Sequence, residues 1–204
     1  MPLGTMAAVM LIIALFTGLL PETLEKLKTG RFPVLAVLIL APVLRMAALE
    51  FTPELELNVG ALFIAAVLFA AAARVDARRL LLHAALALLA AIPALLIRRS
   101  LEPDPAVLAA ALLAVPAFLL LRSLPGTLLF AALTPVFTAV WRLITGLIGG
   151  YGVLELTGAD LDVQLMGALF ALFAAELRRF NRRETNKNAP KQTDPPLFFN
   201  DFRS

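Results

Sequence analysis

Long apolar runs separated by short charged patches dominate the chain. The seven apolar runs are Leu3–Leu20, Pro33–Leu49, Leu57–Ala73, Leu80–Ile97, Pro105–Leu121, Leu124–Gly150 and Leu161–Ala175. A helix that crosses the bilayer hydrocarbon needs about 17–25 residues, and most of the runs reach this length. Backbone polar groups inside lipid must be paired within their own segment. The pattern therefore predicts an all-α fold, a polytopic integral membrane bundle of about seven transmembrane helices.

The lysines and arginines between the runs indicate an orientation. If the N-terminus lies outside, the inner connections and the C-terminal tail hold 14 of the 18 Lys and Arg residues, and the outer connections hold two. Cytoplasmic loops of membrane proteins carry an excess of positive charge. The charge distribution therefore predicts an N-out, C-in topology in a cell membrane that the chain crosses many times.

Composition agrees with a membrane location and excludes several function classes. The chain is 60% hydrophobic with a mean hydropathy of +0.87, whereas a soluble domain is about 45–50% apolar. Its charges lie in patches between apolar runs rather than on one folded polar face, which argues against nucleic-acid binding. The sequence has no cysteine, so disulfides, thiol catalysis and cysteine-ligated metals are excluded.

The composition changes near Arg182, and this change divides the chain. We predict a transmembrane bundle over residues 1–180 and a basic cytoplasmic tail over residues 181–204. The tail sequence, RRETNKNAPKQTDPPLFFNDFRS, is polar and contains prolines, which predicts disorder. Its PPLFFNDF segment either rests on the membrane surface or docks a partner.

Two arginines lie inside apolar runs, and they are the candidate functional residues. Arg45 lies in the second run and Arg142 in the sixth, both in the outer half of the predicted bilayer. An arginine at the bilayer centre costs about 2.5–3.5 kcal/mol, so it needs an acidic partner or a polar cavity. Glu50 and Glu155 lie at the same boundary and are candidate partners. Arg45 is interpreted as a residue that snorkels to the interface, with Glu50 as its candidate partner. For the deeper Arg142 two interpretations stay open: a structural ion pair, or a site, shared with Arg45 in one version, that holds an anionic group.

The glycines after Arg142 also allow two interpretations. Gly146 and Gly150 form a GxxxG spacing, which lets two membrane helices approach closely. Alternatively, Gly149, Gly150 and Gly152 end the sixth helix.

Catalytic signatures are missing from the sequence. We find no HExxH, GxSxG, Walker or GxGxxG motif, and no carboxylate lies deep in a predicted span. We therefore expect no enzymatic activity, no cofactor and no metal site. The expected partners are membrane lipid, a second copy of the chain or another membrane protein.

The late stretch RLITGLIGGYGVLELTGADLDVQLMGALFALFAAELRRF resembles the YphA-like small membrane proteins of spore-forming bacteria. The resemblance lies in a helix, a short acidic loop that begins a final helix, and a basic C-terminus. It implies an accessory role in the bacterial envelope rather than catalysis. The leading hypothesis is a non-enzymatic structural, assembly or accessory component of the envelope. The alternative is a small transporter or lipid-handling protein that uses its intramembrane arginines to hold an anionic group.

Overall fold

The computed structural model describes residues 2–52, 55–100, 114, 116–121 and 123–188. Most of these residues are helical, which confirms the predicted helical class. The helices are α1 (Leu3–Phe16), α2 (Pro21–Lys26), α3 (Arg31–Leu44), α4 (Val59–Asp76), α5 (Leu80–Ser100), α6 (Leu124–Ile148) and α7 (Gly158–Asn188). A 3-10 turn, Ala77–Arg79, joins α4 to α5, and residues 116–121 are also helical.

Three described segments are long and apolar enough to cross a membrane: Ala77–Ile97, Leu124–Ile148 and Gly158–Phe180. The helices at Leu3–Phe16, Arg31–Leu44 and Val59–Val75 are apolar but shorter. Most of the predicted fifth span lies outside the described residues. The structure thus contains candidate membrane spans, while the count of seven stays a prediction.

Two predicted helices end early for local reasons. The first apolar run extends to Leu20, but α1 ends at Phe16, because Gly18 adopts a φ of +72° and the Leu19 N–H bonds to the Ala14 carbonyl. A left-handed glycine followed by a bond from the next N–H to the carbonyl five residues earlier is a Schellman cap. In the second run, α3 stops at Leu44 because the chain turns there into a strand.

A small three-stranded sheet covers one end of the bundle. Strands β1 (Ala48–Thr52) and β2 (Leu55–Asn58) are antiparallel, and β3 (Leu154–Leu156) runs parallel to β2. The sequence predicted helices alone, so this sheet was not expected. Its alternating leucines and glutamates are typical of a half-buried strand, and Leu156 is buried in the main core.

Small side chains form the contacts between helices. The fully buried alanines include Ala7, Ala41, Ala61 and Ala132, which come from α1, α3, α4 and α6 respectively. A Cβ at Gly60 would lie 2.9 Å from the Ala41 carbonyl oxygen, so α3 and α4 approach to backbone contact there. Small residues permit such close packing of helices in membranes.

Large apolar side chains remain exposed along the helix shafts. They include Met10 and Ile13 of α1, Leu89 of α5, and Phe173 and Leu177 of α7, all of which are at least half exposed. Extensive exposed apolar surface marks a protein or membrane contact, so the surface is compatible with lipid.

Helices α1, α4 and α7 begin at one end of the bundle, and α3 and α6 end there. Gly4 at the start of α1 and Arg45 just after α3 both contact Asp162 near the start of α7. At the opposite end, Thr23 of α2 contacts Glu176, fourteen residues further along α7. The bundle therefore has two distinct polar ends.

Candidate functional site

Two arginines and two aspartates meet at the end of the bundle where α7 begins. The Arg45 Nη2 atom lies 2.8 Å from Asp162 Oδ2, and the Arg142 Nη2 atom lies 3.5 Å from Asp160 Oδ2. We call these four residues the arginine–aspartate cluster. Each arginine that the sequence places inside an apolar run thus pairs with a carboxylate from the first turns of α7.

Asp160 is held in place by the local structure at the start of α7. Its side chain is fully buried, and its Oδ2 atom accepts hydrogen bonds from the Thr157 N–H (2.8 Å) and the Thr157 hydroxyl (3.0 Å). An acidic residue that accepts the N–H of the residue before a helix in this way forms one half of a capping box. The N-terminus of a helix also favours negative charge. The carboxylate that faces Arg142 is therefore positioned by its own chain segment.

Asp162 joins three helices. Its Oδ1 atom accepts a hydrogen bond of 3.1 Å from the Gly4 N–H, while its Oδ2 atom contacts Arg45. The first N–H groups of a helix lack partners within that helix, so Asp162 satisfies one of these donors in α1. A Cβ at Gly4 would lie 2.8 Å from the Asp162 Cα. The contact therefore requires glycine at position 4.

The Arg45 backbone is fixed by the start of α4. Asn58 donates a hydrogen bond of 2.8 Å from its side-chain amide to the Arg45 carbonyl, and its side-chain oxygen accepts one of 3.1 Å from the Ala61 N–H. The Arg45 side chain then passes over Gly158, where a Cβ would lie 3.1 Å from Arg45 Nε. Asn58 thus caps α4 and orients Arg45 at once.

Arg142 also contacts the strand that follows its own helix. Its Nη2 atom donates a hydrogen bond of 2.6 Å to the Glu155 carbonyl, and its Nη1 atom lies 3.8 Å from Glu155 Oε2. Arg142 therefore contacts both Glu155 of β3 and Asp160 of α7.

A reversal of the chain after α6 makes this contact possible. The Tyr151 N–H bonds to the Gly146 carbonyl at 2.8 Å, the Gly150 N–H bonds to the Leu147 carbonyl at 3.2 Å, and Gly150 has a φ of +85°. These bonds form a Schellman cap. A Cβ at Gly146 would collide with the Tyr151 carbonyl oxygen and would lie 3.1 Å from the Gly152 Cα. The structure thus uses these glycines to end the helix and pack the following loop against it.

The sheet places three glutamates in one row. Glu50 is the cross-strand partner of Glu56, and Glu56 is the partner of Glu155. Directly opposed residues share a face of the sheet, and like charges in this position are destabilising. Within the described part of the chain, the arginine that contacts this row is Arg142, and it lies at the Glu155 end.

The four site residues predicted from the sequence all lie near the end of the bundle where α7 begins. One predicted pair is present, and the other arginine has a different partner. Arg142 and Glu155 contact each other. The carboxylate against Arg45 belongs to Asp162 rather than to Glu50, because the chain turns into β1 after α3 and carries Glu50 into an exposed position on the sheet.

Asp160 and Asp162 were not among the site residues selected from the sequence. Helix α7 begins at Gly158, so both residues lie in its first turns. One local signal could have identified Asp160: Thr157-Gly-Ala-Asp before an apolar run has capping-box spacing. Asp162 carries no comparable local signal.

The arginine–aspartate cluster holds helices together. Its two arginines remain partly exposed, so they have limited capacity to bind a further hydrogen-bond acceptor. The Arg45 and Arg142 side chains are 24% and 26% exposed, and those of Asp162 and Asp160 are 10% and 0% exposed. Both arginine Nε atoms are buried, and no described residue accepts a hydrogen bond from them. Among the described residues, no group of three or more His, Cys, Asp or Glu side chains could hold a metal ion.

Comparison of the chain with protein-family models, curated proteins and solved structures found no match. The resemblance to the YphA-like proteins therefore stays a prediction.

Proposed function

We propose that the chain is a multi-pass membrane protein with about seven spans in an N-out, C-in topology. We further propose that it is a non-enzymatic structural, assembly or accessory component of the bacterial envelope. One observation carries the proposal: both arginines within the apolar runs are neutralised by carboxylates of the same chain. A charge neutralised inside the bundle stabilises a scaffold and needs no substrate.

The proposed topology requires spans that alternate in direction, and five of the described helices alternate in this way. The arginine–aspartate cluster joins the start of α1, the end of α3, the start of α4 and the end of α6 to the start of α7. Helices that alternate in this way have their connections on alternate sides. Helices of 14 residues, such as α1 and α3, extend about 21 Å, and local thinning of the bilayer accommodates such short spans.

The engagement of the acidic groups supports a non-enzymatic role. Asp160 is bonded to Thr157 and faces Arg142, and Asp162 is bonded to Gly4 and Arg45. A carboxylate that acts as a general acid or base must reach the reacting group, whereas these carboxylates are directed at groups of their own bundle. The exposed apolar helix faces are suited to contact lipid, a second copy or another membrane protein.

A second candidate function rests on the unpartnered Nε atoms of Arg45 and Arg142. A buried donor normally has an acceptor. A small transporter or lipid-handling protein would supply one from an anionic solute or headgroup. This candidate requires that ligand binding depend on Arg142, and the variants described in the Discussion separate the two functions.

Reporter fusions test the proposed topology. A reporter that is active only in the cytoplasm, fused after Ser204, should be active, and one that is active only outside should be silent. The same pair inserted between Gly152 and Val153 should give the reverse pattern. Matching signals at the two positions would contradict the proposed topology.

Cross-linking in native membranes tests the accessory role. We expect a discrete cross-linked complex that contains this chain and either a second copy or another membrane protein. A chain that remains uncross-linked, together with anion uptake into vesicles that Arg142→Lys abolishes, would favour the transporter.

A further inference from the structure

A cleft opens at the end of the bundle opposite the arginine–aspartate cluster. It has a volume of about 380 Å³ and lies between the end of α1 and the later turns of α7. Its lining includes Leu19, Phe173, Glu176, Leu177, Arg179 and Phe180. The cleft therefore combines an apolar surface with one acidic and one basic side chain.

The different lengths of α1 and α7 create the cleft. The starts of both helices are tied together by the Gly4–Asp162 hydrogen bond. Helix α1 has 14 residues and α7 has 31, and each residue adds about 1.5 Å. Beyond the cap at Gly18, α7 continues without α1 beside it. Its side chains Leu177 and Phe180 are consequently 50% and 60% exposed. Phe173, one turn earlier in α7, is 62% exposed.

The charged residues that line the cleft balance each other, whereas the end of the bundle around the cleft is basic. Glu176 accepts hydrogen bonds of 3.1 Å from Thr23 of α2 and from Arg179. Lys26 follows Thr23 by three residues, so it lies on the same face of α2. The next turn of α7 adds two further arginines to the sequence, Arg182 and Arg183. In the sequence of this end, residues 21–31 carry two glutamates and three basic residues, and residues 176–183 carry one glutamate and four arginines. Basic residues thus outnumber acidic ones seven to three.

We infer that this cleft binds an anionic phospholipid. An acyl chain would lie along Phe173, Leu177 and Phe180, and the headgroup phosphate would lie beside Arg179 and Lys26. Arginine donates paired hydrogen bonds to phosphate oxygens, and basic residues near a membrane surface attract anionic lipids. The inference rests on the proposed membrane location and orientation, which place this end at the cytoplasmic leaflet.

A tryptophan placed in the cleft would report the lipid beside it. Trp141 is the only tryptophan of the chain, so the reporter is Phe180→Trp in a Trp141→Phe background. The protein is reconstituted into phosphatidylcholine vesicles that contain a minority of phosphatidylglycerol, and one of the two lipids is brominated to quench fluorescence. Per mole of brominated lipid, phosphatidylglycerol should quench roughly five-fold more strongly for each basic residue that contacts its headgroup. The control reporter, Leu89→Trp on α5, should show no preference.

Charge variants test the headgroup contact. Lys26→Gln combined with Arg179→Gln should equalise the quenching by the two lipids at the cleft reporter. Arg179→Lys should retain most of the preference because it retains the charge. The matched control is Arg74→Gln, an exposed arginine near the end of α4, and it should leave the preference unchanged.

The outcomes distinguish this inference from the membrane location on which it rests. Equal quenching by both lipids at the cleft reporter of the unaltered site would overturn the inference and leave the membrane location intact. If neither brominated lipid quenches the tryptophan at position 180 or at position 89, the membrane location itself is overturned. If Phe180→Trp fails to fold, mass spectrometry of phospholipid that copurifies with the natural sequence decides. The inference is supported if phosphatidylglycerol is enriched in the natural sequence and in Arg74→Gln but not in the Lys26→Gln, Arg179→Gln variant. It is overturned if the natural sequence shows no enrichment.

Discussion

The Asp162 carboxylate lies 2.8 Å from the Arg45 guanidinium, although 117 positions separate the two residues in the sequence. The same carboxylate accepts the Gly4 N–H. One side chain thus neutralises a charge from α3 and caps α1 from its position on α7. Through its bond to Gly4, the Asp162 side chain ties together the first and last described helices of the bundle.

Asp162→Asn should destabilise the protein, because it leaves the partly buried Arg45 without its counter-charge. Breaking a buried ion pair costs about 3–5 kcal/mol. The double variant Arg45→Met, Asp162→Asn should recover much of the loss. Thermal unfolding in detergent measures both effects. Glu50→Gln is the control and should change little, and an equal loss for this variant would show that Glu50 is the partner after all.

Arg142→Leu separates the two candidate functions. If Arg142 is structural, the variant loses stability because fully buried Asp160 is left without its cation, and adding Asp160→Asn should restore part of the loss. Glu155→Gln alone should have a small effect because its carboxylate is 46% exposed, and exposed pairs contribute little. Unchanged thermal stability together with lost binding of an anionic lipid or solute would instead favour the transporter or lipid-handling protein.

Glu56→Gln should stabilise the protein, because Glu56 lies between Glu50 and Glu155 in the row of glutamates on the sheet. Cross-strand charge pairs change stability by about 0.2–1 kcal/mol. The gain should shrink at high salt, which screens exposed charges. Thermal unfolding at low and high salt checks this, with Glu25→Gln of α2 as the control. A loss of stability would indicate that Glu56 has a favourable cationic contact.

Gly4→Ala should weaken the junction of α1 and α7, because a Cβ at this position would collide with Asp162. Overpacking of a tight contact costs about 1–3 kcal/mol. Gly30→Ala is the matched control, since its Cβ would meet only Pro33 Cδ at an ordinary 3.5 Å. Chemical unfolding in detergent compares the two variants, and equal stability would show that α1 shifts easily at this point.

Deletion of the residues after Arg183 should leave insertion and thermal stability nearly unchanged, because the composition of this segment is that of a disordered tail. Quantifying the folded protein in detergent checks the expectation. The matched variant retains the tail and replaces Phe198 and Phe199 with serine. A large loss of folded protein in both would show that the PPLFFNDF segment docks on the bundle.

Local patterns in the sequence were sufficient to predict the helices and to select Arg45, Arg142 and Glu155 as residues that require an explanation. Apolar runs predict helices because each helix satisfies its own backbone hydrogen bonds, and an isolated arginine in such a run is conspicuous from its cost alone. The glycine-rich end of α6 was also recognisable, since left-handed caps favour glycine at a local position.

The tertiary structure decided the partners. Glu50 is close to Arg45 in sequence, yet the partner is Asp162, because the turn into β1 and the packing of α1 against both α3 and α7 depend on contacts between distant segments. The small sheet was similarly hidden, since strands of three to five residues become stable only when paired and packed. Helix and charge patterns are local properties of the chain, whereas the distance between an arginine and a carboxylate depends on how all the helices pack.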